Sequence, residues 1–291
     1  MEQKNIPVPE MQNKQMPITD AEKYIKQKYG NIIKITIAIL AVLEILLFYF
    51  MIYFRQTSRM IIDLSILPIV LFGAAYGIIR KKAEDAFFQQ FASTNGFAFQ
   101  KMGLPDNLYG SLFFVGRNQT GYDLVSGTFQ KTPFVLFNYQ YIIGEGKSSH
   151  VCVYTIFRLD FLSSLPPIFL KPKYCEFGGF VFGDISKDAR EKLELEGDFD
   201  KYFDLWTKQG FEVEALQVFT PDFMQKIEDN WKQFSLEFVN SQIYIYSDHM
   251  ITRDDELENM YQLIQYLIPK IVPFAKEVKG DIAGLNEYYK K

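Results

Sequence analysis

The sequence predicts an α+β protein in two parts. An N-terminal two-helix transmembrane hairpin is followed by a mainly antiparallel-sheet soluble domain with packed helices. Three observations predict it. Two apolar runs of about twenty residues stand five residues apart near the N-terminus. Downstream, segments of strand length are rich in aromatic and β-branched residues, with turn residues between them. Among and after these segments lie two stretches with helical start signals or helical apolar spacing.

The first 18 residues carry Pro7, Pro9 and Pro17 among Gln, Asn and Lys without apolar periodicity, so a disordered tail is expected. "TDAE" (Thr19 to Glu22) fits a capping box that opens a membrane hairpin over 19–82. Its spans are about 35–54, "ITIAILAVLEILLFYFMIYF", and 60–79, "MIIDLSILPIVLFGAAYGII". Each covers about 30 Å of hydrocarbon at 1.5 Å per residue. Lys23, Lys26, Lys28 and Lys34 precede the first span and Arg80, Lys81 and Lys82 follow the second, which puts both termini in the cytoplasm of a multi-pass inner-membrane protein.

Glu44 falls at the centre of the first run, where an ionised carboxylate is costly. Pro68, at the facing depth of the second run, frees the carbonyl of Leu64. The expectation is a protonated Glu44 donating to that carbonyl or to Ser65, as a polar pin between helices rather than a proton or ion relay. Gly73 and Gly77 bracket "GAAYG", whose small residues permit close helix approach. Glu44, Pro68, Gly73 and Gly77 are thus the expected packing residues. The lipid bilayer is the expected partner, with a protein partner or a second copy joining through the spans.

The α+β domain is expected over 83–280, in one body or two lobes dividing near 183–192, with a tail at 281–291. Ala83, Phe87 and Phe91 at helical spacing predict a helix ended by Asn95-Gly96. "SLFFVG", "YDLVSGTF", "PFVLFNYQYII" and "HVCVYTIFRL" predict strands, with "RNQTG" and "GEGKSS" as hairpin loops. "LPPIFLKP" reads as a proline-limited edge or loop, and "YCEFGGFVFG" as a glycine-interrupted strand. "FDKYFDLWTK" reads as a short helix and "FEVEALQVF" as a strand. Thr220, Pro221 and Asp222 start a helix, "FSLEFVNSQIYIYS" makes a hairpin about Asn240-Ser241, and Leu257, Met260, Ile264, Leu267 and Ile271 mark a long helix that Pro269 kinks or ends.

"LEGDFDKYFDLW", "VEALQVFTPDFMQKI" and "SLEFVNSQIYI" resemble the bacterial family called domain of unknown function 3137, and "GSLFFVG…GYDLVSGTFQKTPFVLF" is similar to its sheet segment. The resemblance implies N-terminal membrane spans and an α+β architecture, and brings no activity with it. Where the family often has Arg-Tyr after its Glu-Ala pair, this chain has Leu216-Gln217.

A net charge of −4 gives no basic excess, so no nucleic-acid partner is expected. Cys152 and Cys175 lack metal or redox spacing and read as buried thiols. His150 and Cys152 share a strand face, but zinc sites need a fuller ligand set. "SDHM" (Ser247 to Met250) has no nucleophile elbow, and no phosphate-binding motif occurs, so neither cofactor nor metal is expected. The functional expectation is a membrane-anchored, cytoplasm-facing binding or scaffold module. A membrane-tethered enzyme with an unrecognised site, or an accessory subunit of a transporter or other membrane complex, is the alternative.

Overall fold

The computed structural model describes residues 10–11, 30–31, 33–39, 41–42, 45–46, 49, 53, 70, 72–74, 76–78, 86–173, 190–195 and 198–277. The chain falls into two compact units, one of Met1–Pro17 with Ala92–Lys291 and one of Ile18–Phe91.

Among its described residues the first unit is organised by one sheet of ten strands. They are β1 (Glu10–Met11), β2 (Ala98–Met102), β3 (Arg117–Phe129), β4 (Thr132–Ile143), β5 (His150–Asp160), β6 (Ile168–Pro172), β7 (Arg190–Leu193), β8 (Phe203–Lys208), β9 (Phe234–Val239) and β10 (Gln242–Ser247). Their order is β1-β3-β4-β5-β10-β9-β6-β8-β7, with β2 pairing β3. Every pair is antiparallel except β1 with β3.

Two tight hairpins lie in this sheet, and the one about Asn240-Ser241 is expected from the sequence. In β3–β4, Gln130 and Lys131 both take positive φ (48° and 67°), as a two-residue turn between right-twisted strands requires. In β9–β10, Asn240 does the same at 56°. The loop "GEGKSS" connects β4 to β5, whose ten-residue register runs from Phe134↔Leu159 to Ile143↔His150.

Among the described residues after Asp198, four helices occur: α1 (Phe199–Tyr202), α2 (Glu212–Val218), α3 (Pro221–Asn230) and α4 (Asp254–Glu277). Leu257, Met260, Ile264, Leu267 and Ile271, the stripe expected of α4, are all at most 2% exposed. Tyr261 meets the Phe129 ring of β3 at 4.9 Å, which lays α4 on the sheet face that also carries Phe134, Leu136, Phe157 and Leu159. Pro269 sits inside this helix, which continues to Glu277.

Several expectations are corrected. Among the described residues no helix is long and apolar enough to cross a membrane. This overturns the transmembrane hairpin, the membrane anchoring built on it and the multi-pass inner-membrane placement with cytoplasmic termini. A run of apolar residues records a preference for leaving water, whereas spanning also needs an unbroken helix of about 20 residues. The fold is therefore a large, mainly antiparallel sheet with accompanying helices.

Within the sheet unit, "SLFFVG" is a 3-10 turn, Ser111–Phe114, and not a strand. "RNQTG" is absorbed into β3, which begins at Arg117 and carries irregularities before Thr120 and before Val125. "IFLKP" is an interior strand between β9 and β8, because its prolines lie before Ile168 or at the last position, Pro172, where ladder donors are dispensable. "FDLWTK" alternates buried and half-buried positions as β8, and "EVEALQV" is helix α2 with Ala215 and Val218 buried one turn apart. "YCEFGGFVFG" lies outside the described residues.

Candidate functional site

The opposite face of the sheet is unusual in its chemistry. Strand alternation and register place Tyr139 and Tyr141 of β4, Tyr154 of β5, Tyr244 and Tyr246 of β10, and Ser235 and Glu237 of β9 on it together. All seven are at most 2% exposed. A segment from Gly103 to Gly116, which contains the 3-10 turn, closes over this face as a strap. Leu112 and Phe113 of the strap are buried in the same cluster as these tyrosines.

The strap is fastened through its backbone. Ser111 N donates to Glu237 Oε2 at 2.9 Å and Tyr109 N donates to Tyr244 Oη at 3.0 Å. Arg158 NH1 donates to the carbonyl of Asp106 at 2.7 Å, while its NH2 pairs with Asp160 at 3.0 Å. Asp160 also accepts from Gln242, whose amide oxygen accepts from the Tyr244 hydroxyl. One polar line thus runs along β5, β10 and β9 and ends on strap backbone at three points.

Gly110 makes this approach feasible, because a Cβ there would collide with the Tyr246 hydroxyl and press on the Phe113 ring. The strap is flanked by Gly103 and Gly116, at φ 142° and 72°, values that L side chains rarely adopt. Phe113 points into an aromatic box, with centroids 5.0 Å from Tyr139, 5.4 Å from Tyr244 and 6.1 Å from Phe137. Phe114, its neighbour, is 73% exposed.

The electrostatics follow from enclosure. Tyr246 donates to Glu237 Oε2 at 2.7 Å, so this buried carboxylate oxygen is held by two neutral donors. Burial pushes the hydroxyls of Tyr139, Tyr141 and Tyr244 above the ordinary phenol range and that of Tyr154 up to about 12. These phenols are therefore neutral. Three enclosed hydroxyls here have no hydrogen-bond partner: Ser111 Oγ, Ser235 Oγ and Tyr139 Oη. Native interiors rarely leave such groups unmatched.

A second polar line crosses the other face. Lys101 pairs with Asp123 at 2.7 Å, and Asn138 donates to the other Asp123 oxygen at 3.3 Å. Thr155 Oγ1 donates to Asn138 Oδ1 at 2.8 Å and accepts from Ile251 N at 2.8 Å. Asp123 reaches this line because β3 bulges there, with φ 54° at Asp123 itself.

The residues singled out in the sequence lie elsewhere. Glu44 and Pro68 are outside the described residues. Gly73 and Gly77 are helical, and a Cβ on either would meet open space within its surroundings. His150 is exposed on β5 and Cys152 is a half-buried free thiol, raised in pKa mainly by burial and lowered in part by Tyr141. Cys175 is outside the described residues. Among the described residues no group of three or more His, Cys, Asp or Glu could hold a metal.

His249 is half exposed, with Nδ1 2.7 Å from Asp248 and Nε2 3.2 Å from Glu256. The Asp248 contact first, then Glu256, raises its pKa to about 9. Ser247 Oγ lies 3.5 Å from the same Nδ1 that Asp248 occupies. A hydrolytic triad needs a neutral imidazole whose ring nitrogen is open to the nucleophile, whereas here Asp248 already holds the Nδ1 that Ser247 faces and two carboxylates favour the charged ring.

Glu237, Ser235 and the tyrosine rows did leave a signal in the sequence. "FSLEFV" and "QIYIYS" each alternate one apolar set with one polar or aromatic set. Such a pattern normally marks a solvated face, and only the strap turns it inward.

No family model matches the chain and no curated protein matches it. Among solved structures the chain is similar to the mycobacterial trehalose monomycolate transport factor A, with a TM-score of 0.46 and 9% identity over 62% of this chain and 90% of that one.

Proposed function

We propose that this chain is a binding module, and that recognition takes place on the tyrosine-rich face beneath the strap of residues 103–116. The resemblance to the domain of unknown function 3137 family belongs to the same proposal and rests on the motif residues alone. The observation that carries the reading is the set of three enclosed, unpartnered hydroxyls beside the buried Glu237 carboxylate. A face built only for stability would be lined with apolar groups, since each unmatched buried hydroxyl costs about 1–3 kcal/mol. Positive-φ glycines at both ends of the strap supply pivots about which it can lift. An enzyme of the hydrolase class is the weaker reading, because His249 is held as a cation by two carboxylates.

Native-state hydrogen exchange on the full chain tests this. The amides of Tyr109, Ser111 and Phe113 are expected to exchange through a local opening that leaves Leu236 and Ile245 protected. Exchange of both sets only by whole-sheet unfolding would remove the reading.

A further inference from the structure

The way the strap is held specifies a class of partner, an inference that rests on reading this face as the binding site. We propose that the face receives a peptide segment of another protein, with a glycine three residues before a phenylalanine. The strap then occupies the site in place of that segment.

One cross-strand row carries the argument. Arg158 of β5, Tyr244 of β10 and Glu237 of β9 stand opposite one another on three adjacent strands. Arg158 donates to the carbonyl of Asp106, Tyr244 Oη accepts from Tyr109 N, and Glu237 Oε2 accepts from Ser111 N. Side chains of the sheet thus read the main chain of the strap, with one donor and two acceptors in order. A neutral main chain suits this row, because Arg158 has Asp160 beside it and Glu237 is also bonded by Tyr246. Carbonyls and N–H groups are common to every peptide, so another chain laid across these strands can offer the same three contacts.

Two side-chain requirements narrow the choice. Position 110 has no room for a Cβ beside the Tyr246 hydroxyl. Phe113 N donates back to the Gly110 carbonyl at 3.1 Å, a turn that drops the Phe113 ring among Phe137, Tyr139 and Tyr244. An aromatic anchor in an enclosed pocket is where recognition surfaces concentrate their binding energy.

An independent observation separates a stand-in from a permanent lining. Arg158 Nε, Ser235 Oγ and Tyr139 Oη belong to the sheet, are buried under the closed strap, and have no hydrogen-bond partner. Buried groups of this kind are normally matched, so the strap fits the face incompletely. A segment with polar side chains of its own supplies the partners that the strap withholds.

The test is fluorescence polarisation with dye-labelled, C-terminally amidated "PDNLYGSLFF", the sequence of residues 105–114, titrated with the full chain. A tethered strap competes at high effective concentration, and apparent affinity falls with the fraction of open molecules. Binding is therefore expected to be at least tenfold tighter in Phe113→Ala than in wild type. It should weaken at least tenfold when the peptide's glycine becomes alanine, when its phenylalanine matching Phe113 becomes alanine, and when its serine amide is N-methylated. These three changes leave the protein intact, so a loss of binding is a loss of recognition. Protection of the Leu236 and Ile245 amides checks that Phe113→Ala is folded, and Phe113→Leu replaces it if it is not. Equal binding by wild type and variant overturns the proposal, as does binding that ignores all three peptide changes. If strap amides open locally while the peptide binds neither form, the peptide class is overturned and the binding face stands. If the strap opens only with the whole sheet, both fall.

Discussion

The hydroxyl of Tyr246 donates to the carboxylate of Glu237 at 2.7 Å between adjacent strands, and both side chains are wholly enclosed. Tyr139, on the same face, is equally buried and its hydroxyl donates to nothing. The two tyrosines therefore respond oppositely to loss of one oxygen. Tyr246→Phe strips a donor from a buried carboxylate and should cost about 1–3 kcal/mol. Tyr139→Phe removes an unmatched group and should be neutral or slightly stabilising. Guanidinium unfolding midpoints at equal m-value measure both, and a Tyr139→Phe loss as large as that of Tyr246→Phe contradicts the assignment of partners.

Gly110 is needed for contact distance. Gly110→Ala brings a Cβ against the Tyr246 hydroxyl and the Phe113 ring, so the strap must shift outward. The expected cost is about 1–3 kcal/mol, typical of overpacking. Faster exchange of the Ser111 amide should accompany it, and unchanged exchange there would place the strain elsewhere.

On the opposite face, Thr155 joins Asn138 to the backbone of Ile251. Thr155→Val keeps the shape but leaves the Ile251 N–H and the Asn138 oxygen without their partner. A loss of about 1–3 kcal/mol is expected from these buried groups. Val153→Thr, at a half-buried position of the same strand, is the control and should stay within about 0.5 kcal/mol.

His249 sets a pH dependence. Its folded pKa is raised from 6.5 to about 9, chiefly by Asp248. A group with a raised folded pKa stabilises fully below its unfolded value and loses that contribution as pH rises through the folded value. The contribution should thus be whole below about 6.5 and fade between there and about 9, with a size near 1 kcal/mol or less because the pair is half exposed. An NMR titration of the His249 ring should give a midpoint well above 6.5, and His249→Gln should flatten the stability profile in this window.

The local pattern made several elements legible. The wealth of β-branched and aromatic residues in "PFVLFNYQYII" and "HVCVYTIFRL", with turn residues between, marks β4 and β5. Asn240 marks the β9–β10 turn because asparagine tolerates positive φ. Thr220-Pro221 opens α3, and the stripe from Leu257 to Ile271 is the buried face of α4. Each of these depends on interactions among residues close in the chain.

The rest depended on neighbours distant in sequence. "SLFFVG" has strand propensity, but its backbone donors are taken by Glu237 and neighbouring groups more than a hundred residues away, so it closes as a strap. "EVEALQV" became a helix because Ala215 and Val218 bury on one side of a turn, and "IFLKP" became an interior strand because β8 and β9 flank it. The apolar runs at 35–54 and 60–79 suggested spans, yet apolarity fixes only a preference for leaving water and not the continuous helix that crossing requires. The sequence by itself determined the period of the longer elements, β4, β5, the β9–β10 hairpin, α3 and α4, because period there is set by the geometry of one segment. Which face of the sheet would be sealed, and therefore that Glu237 would be a buried carboxylate among tyrosines, was decided only when the strap closed in three dimensions.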